Sequence, residues 1–234
     1  GYGMFLTLEP RLRDNLMDQN GTSNSNSFSN RLIASVEDLK VYFHSKKGLL
    51  HSVDGVSFDI VDGEIMGLVG ETGCGKSVTA RSFMQLVQTP PGVIAGGKIR
   101  FKSKKTGNQI VDLLSLTENQ IRELRGERIA MIFQEPMSAL NPSMTCGSQV
   151  REILLHHDVV NKKDLNDEVL RLFNSVKIPD AHMAVQKYPH ELSGGQQQML
   201  GLAMAMHSKP KVLLIDELSP VSYTHLTLPT KRIV

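Results

Sequence analysis

Along the chain the apolar positions are first sparse and then periodic. Residues 18–30, DQNGTSNSNSFSN, carry almost no large apolar side chain. Such a stretch buries too little to offset its ordering entropy, so 1–31 is expected to be disordered. Order is predicted from Leu32. LIASVEDLKVYF and LLHSVDGVSFDIVDG read as two strands, the second alternating and closed by Asp62-Gly63. EIMGLVG is a short apolar run, predicted to be a strand buried on both faces. KSVTARSFMQLV follows as a helix stopped by Pro90-Pro91, and GGKIRFKS with NQIVDLL reads as a hairpin pair. TENQIRELRG is a short helix with Thr117 as N-cap and Gln120 completing a capping box. RIAMIFQ is another buried strand. Residues 135–192 read as helical, with breaks at Pro142, Pro179 and Pro189. SGGQQQMLGLAMAMH is a helix and KVLLID the last strand. Buried strands alternating with helices predict an α/β fold with a largely parallel sheet, and the helical stretch is an insertion into it. No internal repeat is visible.

Composition narrows the class. The 234 residues allow one large or two small domains. Lys and Arg number 26 against 24 Asp and Glu, so the net charge of +2 gives no argument for bulk nucleic-acid binding. The two cysteines, Cys74 and Cys146, lack metal-ligand spacing and fit a reduced, intracellular setting. No apolar run approaches the ~20 residues of a membrane helix, and MFLTLEPRLRDNL lacks the apolar core of a signal peptide. Met4 and Met17 are both candidate starts.

GETGCGKS, from Gly70 to Ser77, fits the phosphate-cradling pattern G-x-x-x-x-G-K-[ST] between a predicted strand and a predicted helix. Its members are Gly70, Glu71, Thr72, Gly73, Cys74, Gly75, Lys76 and Ser77, with Val78 next. Glycines let backbone N–H groups close on phosphate oxygens, and the helix N-terminus adds positive potential. Lys76 would reach the β- and γ-phosphates of ATP, and the Ser77 hydroxyl would ligate Mg2+. Cys74 reads as a small filler. Downstream, KVLLIDE ends a buried run in Asp216, placed to hold Mg2+, and Glu217, suited to act as general base toward water. In ELSGGQQQ, Ser193 and Gln196 form a capping box, but a capping box does not call for the consecutive Gly194 and Gly195. Glycines suit a helix start that a phosphate approaches closely. The chain's own loop already holds one nucleotide, so this second edge would serve a nucleotide held by another subunit. His156-His157 show no ligand spacing, His190 reads as support for the loop beside it, and Met199, Met204 and Met206 read as core.

GETGCGKS, FQEPMSALNP, YPHELSGGQ and LLIDE, in that order, resemble the nucleotide-binding subunit of an ABC transporter. GLVGETGCGKSVTAR and IAMIFQEPMSALNP most resemble the bacterial dipeptide and oligopeptide importers of that family, which include nickel importers. The resemblance spans roughly residues 32–217. It implies a P-loop NTPase (RecA-like) core with an N-terminal antiparallel β subdomain and an α-helical subdomain at about 135–192, the C-terminal part of the domain missing. It also implies a head-to-tail dimer, homo- or heteromeric, with two ATP molecules between P-loop and signature. Ser193, Gly194, Gly195 and Gln196 would contact the opposite subunit's ATP. Gln134 would touch Mg2+ and the attacking water and relay nucleotide state through EPMSALNP. Phe43 matches the aromatic that stacks on adenine, with Tyr42 the alternative. The implied partners are two membrane-spanning permease subunits and, indirectly, an extracytoplasmic solute-binding protein, with no nucleic acid. The implied place is peripheral, on the cytoplasmic face of the inner membrane. Other readings are a soluble ABC ATPase of translation or DNA repair, and a fragment that binds nucleotide without turnover.

The chain departs from the family after Glu217. Leu218-Ser219 stands where Pro-Thr is expected, and His225 is too near Glu217 to be the switch histidine. VSYTHLTLPT can be encoded by GTC TCT TAT ACA CAT CTG ACG CTG CCG ACG, which resembles a transposase sequencing adapter read in frame. Residues 218–234 are therefore expected to be a non-native tail. The signature helix also lacks the family's usual Arg and carries Gly201 in its interior.

Overall fold

A computed structural model describes residues 3–8, 31–102, 110–134, 139–157, 161, 163–216 and 232–233. These fall into two compact units, one within 1–125 and 229–234 and one within 126–228.

The first unit is built on strand β2 (Leu32–Ser45), which pairs antiparallel with β3 (Gly48–Val61) and with β5 (Gly92–Lys102). A short β6 (Ile110–Asp112) continues from β5. The β2–β3 hairpin turns at Gly48, whose φ of +121° suits glycine. Alternation interrupted by register shifts between Val36 and Tyr42 leaves Val36, Val41, Val53, Phe58, Ile60, Ile99 and Phe101 buried. Strand β4 (Ile65–Val69) leads into helix α1 (Lys76–Phe83), and Phe83 stacks on Phe58 of β3 with ring centroids 6.4 Å apart. Helix α2 (Glu118–Leu124) carries the expected capping box: Gln120 N donates to Thr117 Oγ1 and Thr117 N donates to Gln120 Oε1. Its C-cap Arg125 bonds both Glu118 and the Met84 carbonyl, which fastens α2 to the end of α1.

The second unit contains a parallel pair, β7 (Ile129–Ile132) and β8 (Val212–Ile215), in register from Ile129↔Val212 to Ile132↔Ile215. Helices α3 (Cys146–His156), α4 (Leu165–Ser175), the short α5 (Ala181–Ala184) and α6 (Gly194–Met206) pack around Leu154, Phe173, Leu200 and Ala203.

Several expectations need correction. A largely parallel sheet is only partly found: β7 and β8 pair parallel but the pairing of β4 is mixed, whereas the wholly antiparallel sheet of β2, β3, β5 and β6 fits the implied N-terminal antiparallel β subdomain. Strand β4 pairs parallel with β9 (Arg232–Ile233) but antiparallel with β1 (Gly3–Leu8). Residues 3–8, inside the segment expected to lack order, thus form a strand whose main chain finds partners on β4. β4 is buried only at Met66 and Gly67, and Val69 is 52% exposed. Helix α1 stops at Phe83 rather than continuing to Pro90. Gln85 takes φ +48° there, and its side-chain amide donates to the carbonyls of Leu113 and Leu116. Met206 is exposed and Met199 and Met204 half-buried, so the core face of α6 is Leu200, Leu202, Ala203 and Ala205.

One buried polar group gives the second unit a pH dependence. His207 is 4% exposed, its Nδ1 lies 2.6 Å from the Met204 carbonyl oxygen, and its Nε2 has no hydrogen-bond partner. The His157 ring packs against it at 4.8 Å between centroids. Burial first, and the His157 charge in addition, hold the imidazole below its ordinary value of 6.5. A depressed histidine value means the unfolded chain binds more protons, so this contribution is complete above about 6.5 and is lost below it, as pH falls through the depressed folded value. The melting temperature should drop between pH 7 and pH 5, and His207→Gln should flatten the drop. An unchanged slope in the variant would assign the acid sensitivity to other groups.

Candidate functional site

The phosphate-cradling sequence lies where the pattern put it, between β4 and α1 of the first unit. Two of its glycines take left-handed backbone, Gly73 at φ +86° and Gly75 at φ +93°. Gly75 is glycine for a second reason. A Cβ there would overlap the carbonyl oxygen of Ser52 and lie 3.1 Å from Val53 Cγ2, so β3 backs directly onto the loop. Residues 71–74 are exposed, and Gly75 and Lys76 are buried. Gly70 is half-buried, and a Cβ on it would overlap Cys74 Sγ, so the Cys74 side chain fills the space beside it. Ser77 and Val78 are half-buried in the first turn of α1.

Lys76 shows how the loop keeps its shape. Its Nζ donates to the carbonyl oxygens of Gly70 (2.9 Å) and Glu71 (2.7 Å) and sits 3.5 Å from Cys74 Sγ. A buried ammonium needs partners, and here backbone oxygens supply them. The charge is held inside the curl of the loop, where phosphate oxygens would compete for it.

Phe43 and Tyr42 have different surroundings. Phe43 is half-buried, paired across the sheet with Leu50 and Gly92, and its Cε1 would lie 2.9 Å from a Cβ on Gly92. Tyr42 is committed elsewhere: its hydroxyl donates to Asp54 Oδ1 at 2.8 Å and its ring stacks on His51 at 4.0 Å. The Asp54 bond raises the Tyr42 hydroxyl above its usual value and lowers the Asp54 carboxyl. Phe43 is thus the better base-stacking candidate of the two.

In the second unit the parallel pair brings Gln134 and Asp216 to one end. Asp216 follows β8, is 3% exposed, and its N–H donates to the carbonyl of Ile132, the last residue of β7. Gln134 stands two residues beyond that same strand end and is exposed. Oxygen donors gathered at the carboxyl ends of parallel strands are in the usual ligand-binding position of an α/β sheet. Glu217, the expected base, lies outside the described residues.

Ser193 is the N-cap of α6 and the capping box is made: Gln196 N donates to Ser193 Oγ (3.3 Å) and Ser193 N donates to Gln196 Oε1 (2.9 Å). Gly194 and Gly195 are a different matter. A Cβ on either would meet nothing within 4 Å, so no neighbour among the described residues requires glycine at these positions. Gly201 has the same open surroundings. His190 stacks on Tyr188 at 5.7 Å in the 3-10 turn (Pro189–Glu191) that leads to Ser193. Pattern reading missed Ser52, whose carbonyl shapes the loop; only the strand register makes it visible.

A family model described as ABC transporter matches residues 53–219. The dipeptide transport ATP-binding protein DppD of Bacillus subtilis is 43% identical over 185 residues, which are 79% of this chain and 53% of the relative. The oligopeptide transport ATP-binding protein AppD of the same organism is 43% identical over 182 residues, 78% and 53% of the two chains. The chain spans about half the length of these curated relatives. Among solved structures, the dimeric ABC transporter cassette MJ0796 has a TM-score of 0.70 at 17% identity and covers 86% of this chain and 87% of its own. The protein cbiO1 of Clostridium perfringens has a TM-score of 0.63 at 23% identity, over 87% and 77%. These two likenesses are likenesses of fold, and they place the chain among α/β P-loop cassettes. With the family match over well more than half of its length, the chain belongs to the ABC transporter family.

Proposed function

We propose that this chain is the ATP-binding subunit of an ABC importer of peptides, binding and hydrolysing Mg-ATP to drive uptake through partner permease subunits. The observation that carries this reading is the loop of residues 70–77, curled around the Lys76 ammonium at the start of α1. The names of the relatives, dipeptide and oligopeptide transport ATP-binding proteins, support the peptide class. Among the described residues no helix is long and apolar enough to cross a membrane. A peripheral place on the cytoplasmic face of the inner membrane follows from the proposed partnership with permeases.

In this reading Lys76 exchanges its two carbonyl partners for oxygens of the terminal phosphates, and Phe43 stacks on the adenine. Ser77 in the first unit offers a hydroxyl, and Gln134 and Asp216 in the second offer an amide and a carboxylate, each a hard oxygen donor of the kind Mg2+ prefers. Mg2+ held by such donors would offset phosphate charge. Gln134 orients the attacking water and Glu217 takes its proton as the oxygen–phosphorus bond forms and ADP leaves. Ser193, Gly194, Gly195 and Gln196 serve the nucleotide of a second ATP-binding subunit. That assignment accounts for two glycines that no neighbour among the described residues requires.

Calorimetry with Mg-ATP tests binding, and phosphate release tests turnover. Glu217→Gln should leave ATP affinity unchanged and lower turnover by about 10²–10⁴-fold, because an amide cannot accept the water's proton. Turnover at the parent rate would remove Glu217 from the base role, and a parent chain that binds no ATP would overturn the reading itself.

A further inference from the structure

Strand β4 delivers the loop of residues 70–77: its last residue, Val69, is followed at once by Gly70, whose carbonyl Lys76 holds. The N–H and C=O groups of β4 need partners wherever they are withheld from water. Among the described residues its strand neighbours are β1 and β9. β9 pairs only with Met66 and Gly67. β1 pairs antiparallel with every residue of β4, from Thr7↔Ile65 through Phe5↔Gly67 to Gly3↔Val69. Ile65, Leu68 and Val69 therefore find strand partners, among the described residues, only in β1.

The same short strand reaches the far end of the loop. β1 neighbours helix α1, whose first residues are Lys76 and Ser77. A segment far from the motif in sequence thus lies against both elements between which the loop is strung, and all of them belong to the first unit. Gly3↔Val69 is the rung beside Gly70, so loss of pairing there frees the root of the loop. The Lys76 bonds shape the curl from within, but the curl fits a ligand only while its two ends keep their spacing.

We propose that residues 3–8 are a positioning strand of the phosphate loop: paired with β4 and set against α1, they hold the two ends of residues 70–77 at a fixed spacing. The edge of β4 is their binding site, and it takes an extended peptide through main-chain hydrogen bonds. Such pairing is sensitive to proline and tolerant of side-chain exchange. Along an antiparallel strand successive N–H groups face opposite sides, so of Phe5 and Leu6 one donates toward β4 and the other away from it. That the positioned loop serves ATP rests on the functional reading above; the pairing does not.

Hydrogen exchange on the 234-residue chain without nucleotide tests this. In the parent, the amides of residues 3–8 should exchange about tenfold or more slowly than in a free peptide of residues 1–10, and equal rates would overturn the proposal with no variant needed. Phe5→Pro and Leu6→Pro each delete one N–H. The variant that removes the donor facing β4 should raise exchange about tenfold at 65–69 and 77–80, while residues 92–102 of β5 stay as protected as in the parent. Leu6→Val keeps the N–H and should leave all three segments as they are. Unchanged exchange at 65–69 in both proline variants would overturn the proposal. An equal rise at 92–102 would make β1 part of the general fold and overturn its positioning role. Calorimetry adds a second readout: the loosened variant should bind Mg-ATP about three- to tenfold more weakly than Leu6→Val, because a loop ordered only at binding loses affinity. Loosened exchange with unchanged affinity would also overturn the positioning role. A parent that binds no ATP would overturn the functional reading alone, since the exchange results decide the strand's role without nucleotide.

Discussion

Lys76→Ala is expected to abolish measurable binding of Mg-ATP, a loss of about 100-fold or more by calorimetry. The side chain supplies the charged donor of the loop, and hydrogen bonds to charged groups are worth roughly 1.5–3 kcal/mol each. The substitution also strips the Gly70 and Glu71 carbonyls of their shared donor. Glu71 is exposed and Gly70 half-buried, so water can replace the ammonium at the Glu71 carbonyl. The melting temperature should therefore change far less than the affinity. A variant that binds an ATP analogue as the parent does would remove residues 70–77 from the phosphate site.

Gly75→Ala should fail differently, through the fold as well as the ligand. The residue sits at φ +93°, and its Cβ would overlap the Ser52 carbonyl oxygen, an atom fixed in β3. Left-handed backbone and overpacking together cost roughly 2–5 kcal/mol. For a chain of this length that is a fall of roughly 5–15 °C in melting temperature. The loop must move off β3 to accept the methyl group, so nucleotide binding should be lost in whatever fraction stays folded. Gly73 is the internal control: its φ is also positive, at +86°, but a Cβ there meets nothing within 4 Å. Gly73→Ala should thus destabilise by the backbone cost alone. Equal effects at the two positions would refute the contact with Ser52.

Much of this site could be read from local spacing. The Lys76 bonds of the loop and the boxes at Thr117 and Ser193 depend on neighbours three to six positions away, so one-dimensional pattern suffices for them, though not for the Ser52 carbonyl that backs Gly75. What pattern could not supply is set by distant partners. The early end of α1 depends on Gln85 reaching Leu113 and Leu116. The strand at residues 3–8 depends on β4, some sixty positions on. Gln149 and Gln197 look like ordinary surface amides in the sequence, because only the packed unit reveals the carbonyls they serve. The methionines of α6 lie off the core face for a related reason. Its residues are apolar nearly all round, so composition could not say which face is covered, and Met206 ended outside.

The parallel pairing of β7 and β8 has a consequence for how this site tolerates change. Gln134 and Asp216 are spaced by strand register, counted from Ile132↔Ile215, and the Asp216 main chain is tied to Ile132. Register works as a ruler with a step of about 3.3 Å, and each step also reverses the side a residue faces. Apolar exchanges inside either strand leave the ruler intact. A single inserted or deleted residue in one strand would carry its polar end one step along and turn it to the opposite face. The geometry of this end of the sheet is therefore protected against apolar substitution and exposed to single-residue insertions and deletions, a distinction that library designs on this chain can use directly.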